Sequence, residues 1–460
     1  MKNKTQNLYV CSKCDAQFLK WSGKCLECGA WGTLESTIID KEEKTEINVA
    51  PAQITNLSKI DAKQNNFNRI KTNILEIDQV LGGGLVQGSL SLISGEPGIG
   101  KSTMLAQIAN AIGMNPTNEV IYVSGEESGA QVKNRFERLH CEIKNIDFIS
   151  ETNADKIIAA CLEKNSSQVL GAKNKSTLVI VDSIQTIYSS LLPNESGSVN
   201  QIRACTAKFL ELAKENNITV ILVGHVTKDG QIAGPKLLEH IVDTVLYLES
   251  DQSNNYQMLR AKKNRFGSIN ELGIFQMTST GFREVANPSS VFINDQKQKI
   301  SGSVTSCIIE GSRPFFVEVQ ALVTKTVFGY PQRKSSGFDL NRLQVLTSVI
   351  SKKTKINLAN QDVIINVVGG FRVSDPSLDL AICLAIISSA QNKIINKQTI
   401  VLGEIGLGGE VRNIAKLKEK INEARKLGFD RAIIPQNKIK IREFEIINIL
   451  NLNDAFQVIL

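Results

Sequence analysis

The stretch "GEPGIGKST", Gly95 to Thr103, constrains this chain more than any other. It fits the pattern G-x-x-x-x-G-K-[ST], directly after the apolar run "SLSLISG" and directly before the helix-like run "STMLAQIANAI". A glycine-rich loop between a strand and a helix points backbone N–H groups inward around phosphate oxygens, and the helix N-terminus adds a field that favours anions. Gly95, Glu96, Pro97, Gly98, Ile99 and Gly100 form the cradle. Lys101 neutralises charge on the β and γ phosphates, Ser102 offers its hydroxyl to Mg²⁺, and Thr103 backs the first helical turn. ATP with Mg²⁺ is the ligand such a loop predicts.

The flanking sequence supplies the rest of a sheet. "EVIYVSG", "TLVIVDS", "ITVILVGH" and "TVLYLES" are continuous apolar runs separated by helical patterns. That alternation predicts a parallel sheet covered on both faces. Three chemically apt residues then fall at strand ends, where such sheets bind ligands. Asp182 ends "TLVIVD" and suits a Mg²⁺ partner; the competing role is a cap for the next segment. Glu126 and Glu127 follow "YVSG", and Glu126, nearer the strand, is the one assigned to orient the attacking water. A cap or a surface acid is the alternative there. His225 ends "VILVGH" and suits a γ-phosphate sensor as well as it suits a structural histidine.

The N-terminal region carries different chemistry. Cys11-x-x-Cys14 and Cys25-x-x-Cys28 are two knuckles ten residues apart. Four thiolates at that spacing predict a closed, structural Zn²⁺ site, with an iron–sulfur cluster as runner-up. Lys13, Lys20, Lys24, Trp21 and Trp31 lie on or beside the knuckles. They suit single-stranded nucleic acid, a protein partner, or simple packing around the metal. The other five cysteines are scattered, as expected of buried thiols in a reducing compartment.

Composition sets the boundaries. Of 460 residues, 42% are hydrophobic and 22% charged, and the net charge is +7, so the chain can build sizeable cores and meet an anionic partner. "MKNKTQNLYV" has no apolar signal-peptide core, and "LDLAICLAIISSA" is too short for a bilayer, so the expected location is cytoplasmic, with no membrane partner. The expected domains are a zinc module over 1–33, a polar linker over 34–66, a nucleotide-binding domain over 67–285 and a second mixed α/β region over 290–460.

The order of "GEPGIGKS", "VDS" and "GHVTKDG" resembles the RecA-type ATPase core. With "KNRFG" at 263–267, the cysteine cluster and the tail, nearly the whole chain resembles the bacterial RadA (Sms) family of DNA repair proteins. The resemblance implies an α/β, RecA-like P-loop ATPase core between a small zinc-binding module and a C-terminal α+β Lon-protease-like domain. It implies a DNA-dependent ATPase of homologous recombination that drives branch migration on single-stranded and branched DNA, as a hexameric ring, with the RecA recombinase as partner. It makes the KNRFG turn a signature element. Lys263 and Arg265 would then act in trans, on the phosphate of an adjacent subunit or on DNA, with Phe266 pinning the turn and Gly267 permitting it. The basic loop after His225, with Lys228 and Lys236, would contact DNA.

The tail raises a rival enzyme class. "VVGGFRVSDPSLDLAICLAIISSA" and "GEIGLGGEVRNIAKLKEKINEARKLGFDRAIIP" resemble the proteolytic domain of Lon, which uses a Ser–Lys dyad. Ser377 and Lys420 fall at the dyad positions. Leu378-Asp379 replaces Lon's small Ala-Gly after the serine, which counts against a working dyad; the RadA resemblance implies instead a scaffold that helps build a ring, with Arg313, Lys325, Arg333 and Lys334 as candidate duplex contacts. A nucleotide-gated DNA-binding module without motor action is the remaining alternative.

Overall fold

The computed structural model describes residues 6–13, 16–39, 68–168, 176–225, 238–250, 256–285, 300–327, 329–368, 373, 375–396 and 398–459. The chain divides into two compact units. The first comprises Met1–Leu248, Lys262–Gly267 and Ser279–Gly281; the second comprises Glu249–Ala261, Ser268–Thr278 and Phe282–Leu460.

In the first unit the strands run in the order Thr244–Ser250, Leu90–Gly95, Thr219–His225, Ser176–Asp182, Asn118–Ser124 and Ile146–Ile149. Every neighbouring pair is parallel. The apolar runs of the sequence fill these strands because both faces are covered; Leu90–Gly95 is buried at all six positions. Leu92, Val123, Val181 and Leu222 share one core with Ile202, Phe209 and Leu212 of the helix Val199–Asn216. The helix Gly129–Arg138 begins on a reciprocal cap between Ser128 and Gln131.

Register aligns the chemistry. His225 sits opposite Gly95, and Asp182 sits opposite Ser124, which immediately precedes Gly125 and Glu126. The chain runs from the phosphate-loop strand past two strand positions before adding the next strand, which opens a crevice at the carboxyl ends.

The N-terminal module is a small antiparallel sheet of Gln17–Phe18, Gln6–Cys11 and Leu34–Ile39. Its core is Cys11, Cys25 and Leu34, with Tyr9, Ala16 and Phe18 packed against them. A core that small calls for a metal.

The second unit contains a seven-stranded mixed sheet over a helix, Asp379–Gln391, that is buried at every position from Asp379 to Ser388. A helix apolar all round belongs inside a core. Among the described residues, no helix is long and apolar enough to cross a membrane.

Candidate active site: a phosphate loop at the strand ends

The loop is shaped by its glycines. A Cβ on Gly95 would come within 2.5 Å of the Leu248 carbonyl oxygen, so the strand end tolerates no side chain. Gly98 and Gly100 take φ of 77° and 107°, the left-handed region that other residues avoid. Gly100 caps the helix Lys101–Gly113 without any side-chain bond, which leaves the first N–H groups to an anion. The Lys101 ammonium is buried and donates to the carbonyls of Gly95 at 3.0 Å and Glu96 at 2.9 Å. Burial draws its pKa below the usual lysine value, while the charges of Asp182 and Glu126 pull it back up. A buried lysine poised between loop carbonyls and two carboxylates fits a polyphosphate with a divalent ion. Ser102 follows Lys101 in the first turn of that helix, where its hydroxyl is the candidate for that ion.

Asp182 is buried, and its Oδ2 accepts a 2.8 Å hydrogen bond from the Tyr122 hydroxyl. Burial and the Asp182 carboxylate hold that phenol protonated, with its pKa well above the usual value. Ser183 Oγ donates to Glu126 Oε1 at 2.6 Å, which links the water-orienting candidate to the Asp182 strand. Glu127 is committed elsewhere: its carboxylate pairs with Arg135, and its N–H donates to Ser124 Oγ at 3.0 Å. Tyr122 and Ser183 escaped the sequence reading. Ser183 was within reach, because a hydroxyl beside Asp182 stands in plain view; Tyr122 is one more apolar letter of its strand. The strand bonding fixes His225 opposite Gly95, but its side chain lies outside the described residues, as do Lys228 and Lys236.

The cationic turn lies at the opposite, amino end of the phosphate-loop strand. Arg265 N–H donates to the Asp243 carbonyl at 3.2 Å, and Asp243 N–H donates to the Leu90 carbonyl at 2.9 Å. Leu90 begins the strand whose far end is Gly95. Five steps of about 3.3 Å therefore separate the turn from its own phosphate loop, about 16 Å along the strand. Lys263 donates to the carbonyls of Glu239 and, at 2.8 Å, Val242; burial and the neighbouring Arg265 charge lower its pKa. Arg69 Nη2 donates to the Phe266 carbonyl at 2.7 Å, and Asn264 Oδ1 accepts from Phe266 N–H at 2.9 Å. Gly82 packs against Gly267, whose Cα would lie 3.5 Å from a Cβ on Gly82. Arg69 and Asp243 were missed because they lie 197 and 22 residues from their partners in the turn.

The thiols of Cys11, Cys25 and Cys28 lie within 4.8 Å of one another, and Cys14 falls outside the described residues. The Cys11 and Cys28 sulfurs are 3.7 Å apart. Two thiolates bound tetrahedrally at ~2.3 Å from one zinc ion lie about 3.8 Å apart, so the donor set fits zinc. Gly29 takes φ of 71°, and its N–H donates to the Cys25 carbonyl at 3.0 Å, closing the second knuckle. Trp21 and Trp31 are 62% and 76% exposed, which removes packing around the metal as their role. Both tryptophans of the chain lie here, so their fluorescence reports this module alone. Chelating zinc is expected to lower tryptophan anisotropy through loss of the fold, with nucleotide binding by the core retained.

In the second unit, Lys420 Nζ donates to Ser377 Oγ at 2.7 Å and pairs with Asp375 Oδ2 at 3.0 Å. Both Ser377 and Lys420 are fully buried. The spacing of a dyad is thus met, and Asp379 plays no part in it: that carboxylate pairs with Arg342 and accepts from Ile405 N–H at 3.2 Å. The departure from a protease lies in access and polarity. Ser377 Oγ donates its proton to the Cys307 carbonyl at 3.3 Å, and an ion-paired ammonium has no lone pair to take it. Burial raises the Asp375 carboxyl, but the Lys420 charge and hydrogen bonds from Ser377 and Lys420 bring it below its usual value. Lys420→Met should cost about 3 kcal/mol in denaturant unfolding by stranding Asp375, whereas Ser377→Ala should cost about 1 kcal/mol and leave ATP turnover unchanged. Arg333 donates to the carbonyls of Gln332, Gln361 and Leu358, so its guanidinium is used inside the fold.

Known proteins bear on this geometry. The KaiC ATPase family matches residues 70–271, the rubredoxin metal-binding domain matches 9–36, and subunit ChlI of Mg-chelatase matches 340–438. Over an alignment of 468 positions the chain is 42% identical to DNA repair protein RadA of Halalkalibacterium halodurans, covering 100% of this chain and 99% of that one. It is 41% identical to the Bacillus subtilis RadA, covering 99% and 98%, and 42% identical to that of Rickettsia felis, covering 99% of both. Among solved structures, a KaiC-like protein from Pyrococcus horikoshii aligns with 48% of this chain and 99% of that one, at TM-score 0.39 and 20% identity.

Proposed function

This chain belongs to the family of DNA repair protein RadA, and we propose that it is a DNA-dependent motor whose ATP is hydrolysed at the seam between two subunits. Family membership makes it an ATP hydrolase of DNA repair and recombination that uses ATP, Mg²⁺ and Zn²⁺. The motor reading, the hexameric ring, branch migration and the RecA recombinase as partner go further and are our proposal.

One observation carries it. Lys101, Asp182 and Glu126 gather at the carboxyl edge of the sheet, and the cationic turn is tied to the amino end of the same phosphate-loop strand. Phosphoryl transfer calls for cations around the developing charge. Lys263 and Arg265 sit too far away to serve their own nucleotide, but a turn at one end meets a loop at the other when copies repeat head to tail.

Each residue then has a task. Lys101 holds the β and γ phosphates. Ser102 and Asp182 would hold Mg²⁺, which would draw off charge on the phosphate oxygens. Glu126, steadied by Ser183, orients the attacking water and accepts its proton. Arg265 of the neighbour, about half exposed, stabilises the transferring phosphoryl group, and Lys263, bound to the Glu239 and Val242 carbonyls, holds the turn that carries it. His225 reports phosphate loss to the loop bearing Lys228 and Lys236, which grips the DNA backbone. Arg313, Lys325 and Lys334 remain the candidate duplex contacts of the second unit; Arg333 does not.

The deciding experiment is ATP turnover with and without single-stranded DNA, on wild type and Lys263→Ala. Turnover should rise with DNA and with protein concentration, and Lys263→Ala should remove most of the rise. A rate indifferent to both would rule the reading out. The peptidase alternative has no support from the sealed Ser377.

A further inference from the structure

Asp243 serves two cations at once. It is buried, and its Oδ2 takes the Lys214 ammonium at 2.7 Å and the Leu90 N–H at 3.1 Å. Its Oδ1 takes one nitrogen of Arg265 at 3.2 Å. The Lys214 ammonium also lies 5.7 Å over the Phe266 ring, so it touches both the anchor and the aromatic of the turn. Lys214 is the basic residue in the last turn of the helix Val199–Asn216. The first turn of that helix carries Gln201, which accepts from Ser189 N–H at 2.8 Å and donates to the carbonyls of Ser189, Leu192 and Asn194. One rigid helix thus connects the segment after Asp182 to the anchor of Arg265.

The chemistry assigns Lys214 a purpose. A guanidinium facing a free carboxylate settles on both oxygens, a two-bond clamp that is strong and fixed in direction. Lys214 and Leu90 occupy Oδ2, so Arg265 keeps a single contact on Oδ1 while about half of its side chain stays exposed. One contact aims the guanidinium without locking it. We propose that Lys214 is a positioning residue for Arg265: by holding the second oxygen of Asp243 and the face of Phe266, it keeps the cation releasable toward a neighbour's phosphate. This rests on the trans role of Arg265 and adds the residue that sets its aim.

The test is a mutant cycle read by ATP turnover on the full chain with single-stranded DNA. Lys214→Met should lower kcat by about tenfold, with KM for ATP within about twofold of wild type. Lys214→Arg should restore most of the rate. Because the effect runs through Arg265, Lys214→Met with Arg265→Ala should turn over no more slowly than Arg265→Ala alone. Lys214→Leu, which also removes the donor to Oδ2, provides a second reading should Lys214→Met lose its fold. Wild-type kcat in Lys214→Leu or Lys214→Met would overturn the proposal, as would losses that multiply in the double variant. If Arg265→Ala itself turns over normally, the trans reading fails and takes this one with it; if Arg265→Ala is inactive while Lys214 variants behave as wild type, only the positioning role fails.

Discussion

Arg265→Ala lowers ATP turnover by about 10³ or more while leaving nucleotide affinity within a few-fold of wild type. A cation delivered to the transferring phosphoryl group contributes on the order of 10³ to 10⁵ in rate. It acts on charge that exists only in the transition state, so kcat falls and ground-state binding does not. The structure keeps the two effects separable. Arg265 is tied to Asp243 at the Leu90 end of the strand, remote from Lys101 and the loop that binds the nucleotide. Rapid-quench turnover beside equilibrium binding of a fluorescent nucleotide checks both halves. A variant that loses binding and turnover together would mean that Arg265 supports the fold instead.

Glu126→Gln has the second largest effect, a drop in kcat of about 10² to 10⁴ with ATP still bound. The amide keeps the shape and still accepts the Ser183 hydrogen bond, but it cannot take a proton from water. Glu127→Gln makes the contrast. That carboxylate faces Arg135, so its loss should weaken the fold near the helix Gly129–Arg138 and reduce turnover far less. Single-turnover chemistry and a thermal melt on the two variants distinguish the roles. Equal losses would remove the case for Glu126 as the base.

Much of this molecule is legible in its letters, for physical reasons. A phosphate loop needs a strand before it, glycines within it and a helix after it, and all three leave local marks. Continuous apolar runs mark parallel strands because both faces are buried. Cysteine knuckles mark themselves, since two thiolates per turn are needed to reach one ion. What remained hidden is what register and long loops assemble. Tyr122 holds Asp182 across two neighbouring strands, Arg69 reaches Phe266 across most of the first unit's sequence, and Asp243 gathers Lys214 and Arg265. No periodicity announces such pairs. The Ser377–Lys420 pair shows the reverse case: residue types and spacing suggest a reactive dyad, and only burial and the Asp375 ion pair favour a structural tie.

The central claim is that one catalytic site is built from two copies of the chain. Lys101→Ala destroys the phosphate loop but keeps the cationic turn; Arg265→Ala keeps the loop but loses the cation. Each alone should be inactive. Mixed in equal amounts and allowed to assemble on single-stranded DNA, they place an intact loop against an intact turn at one seam in four. Turnover should then recover to about a quarter of the wild-type rate, the statistical share expected for head-to-tail contacts. A mixture no more active than its two components measured apart would contradict the account.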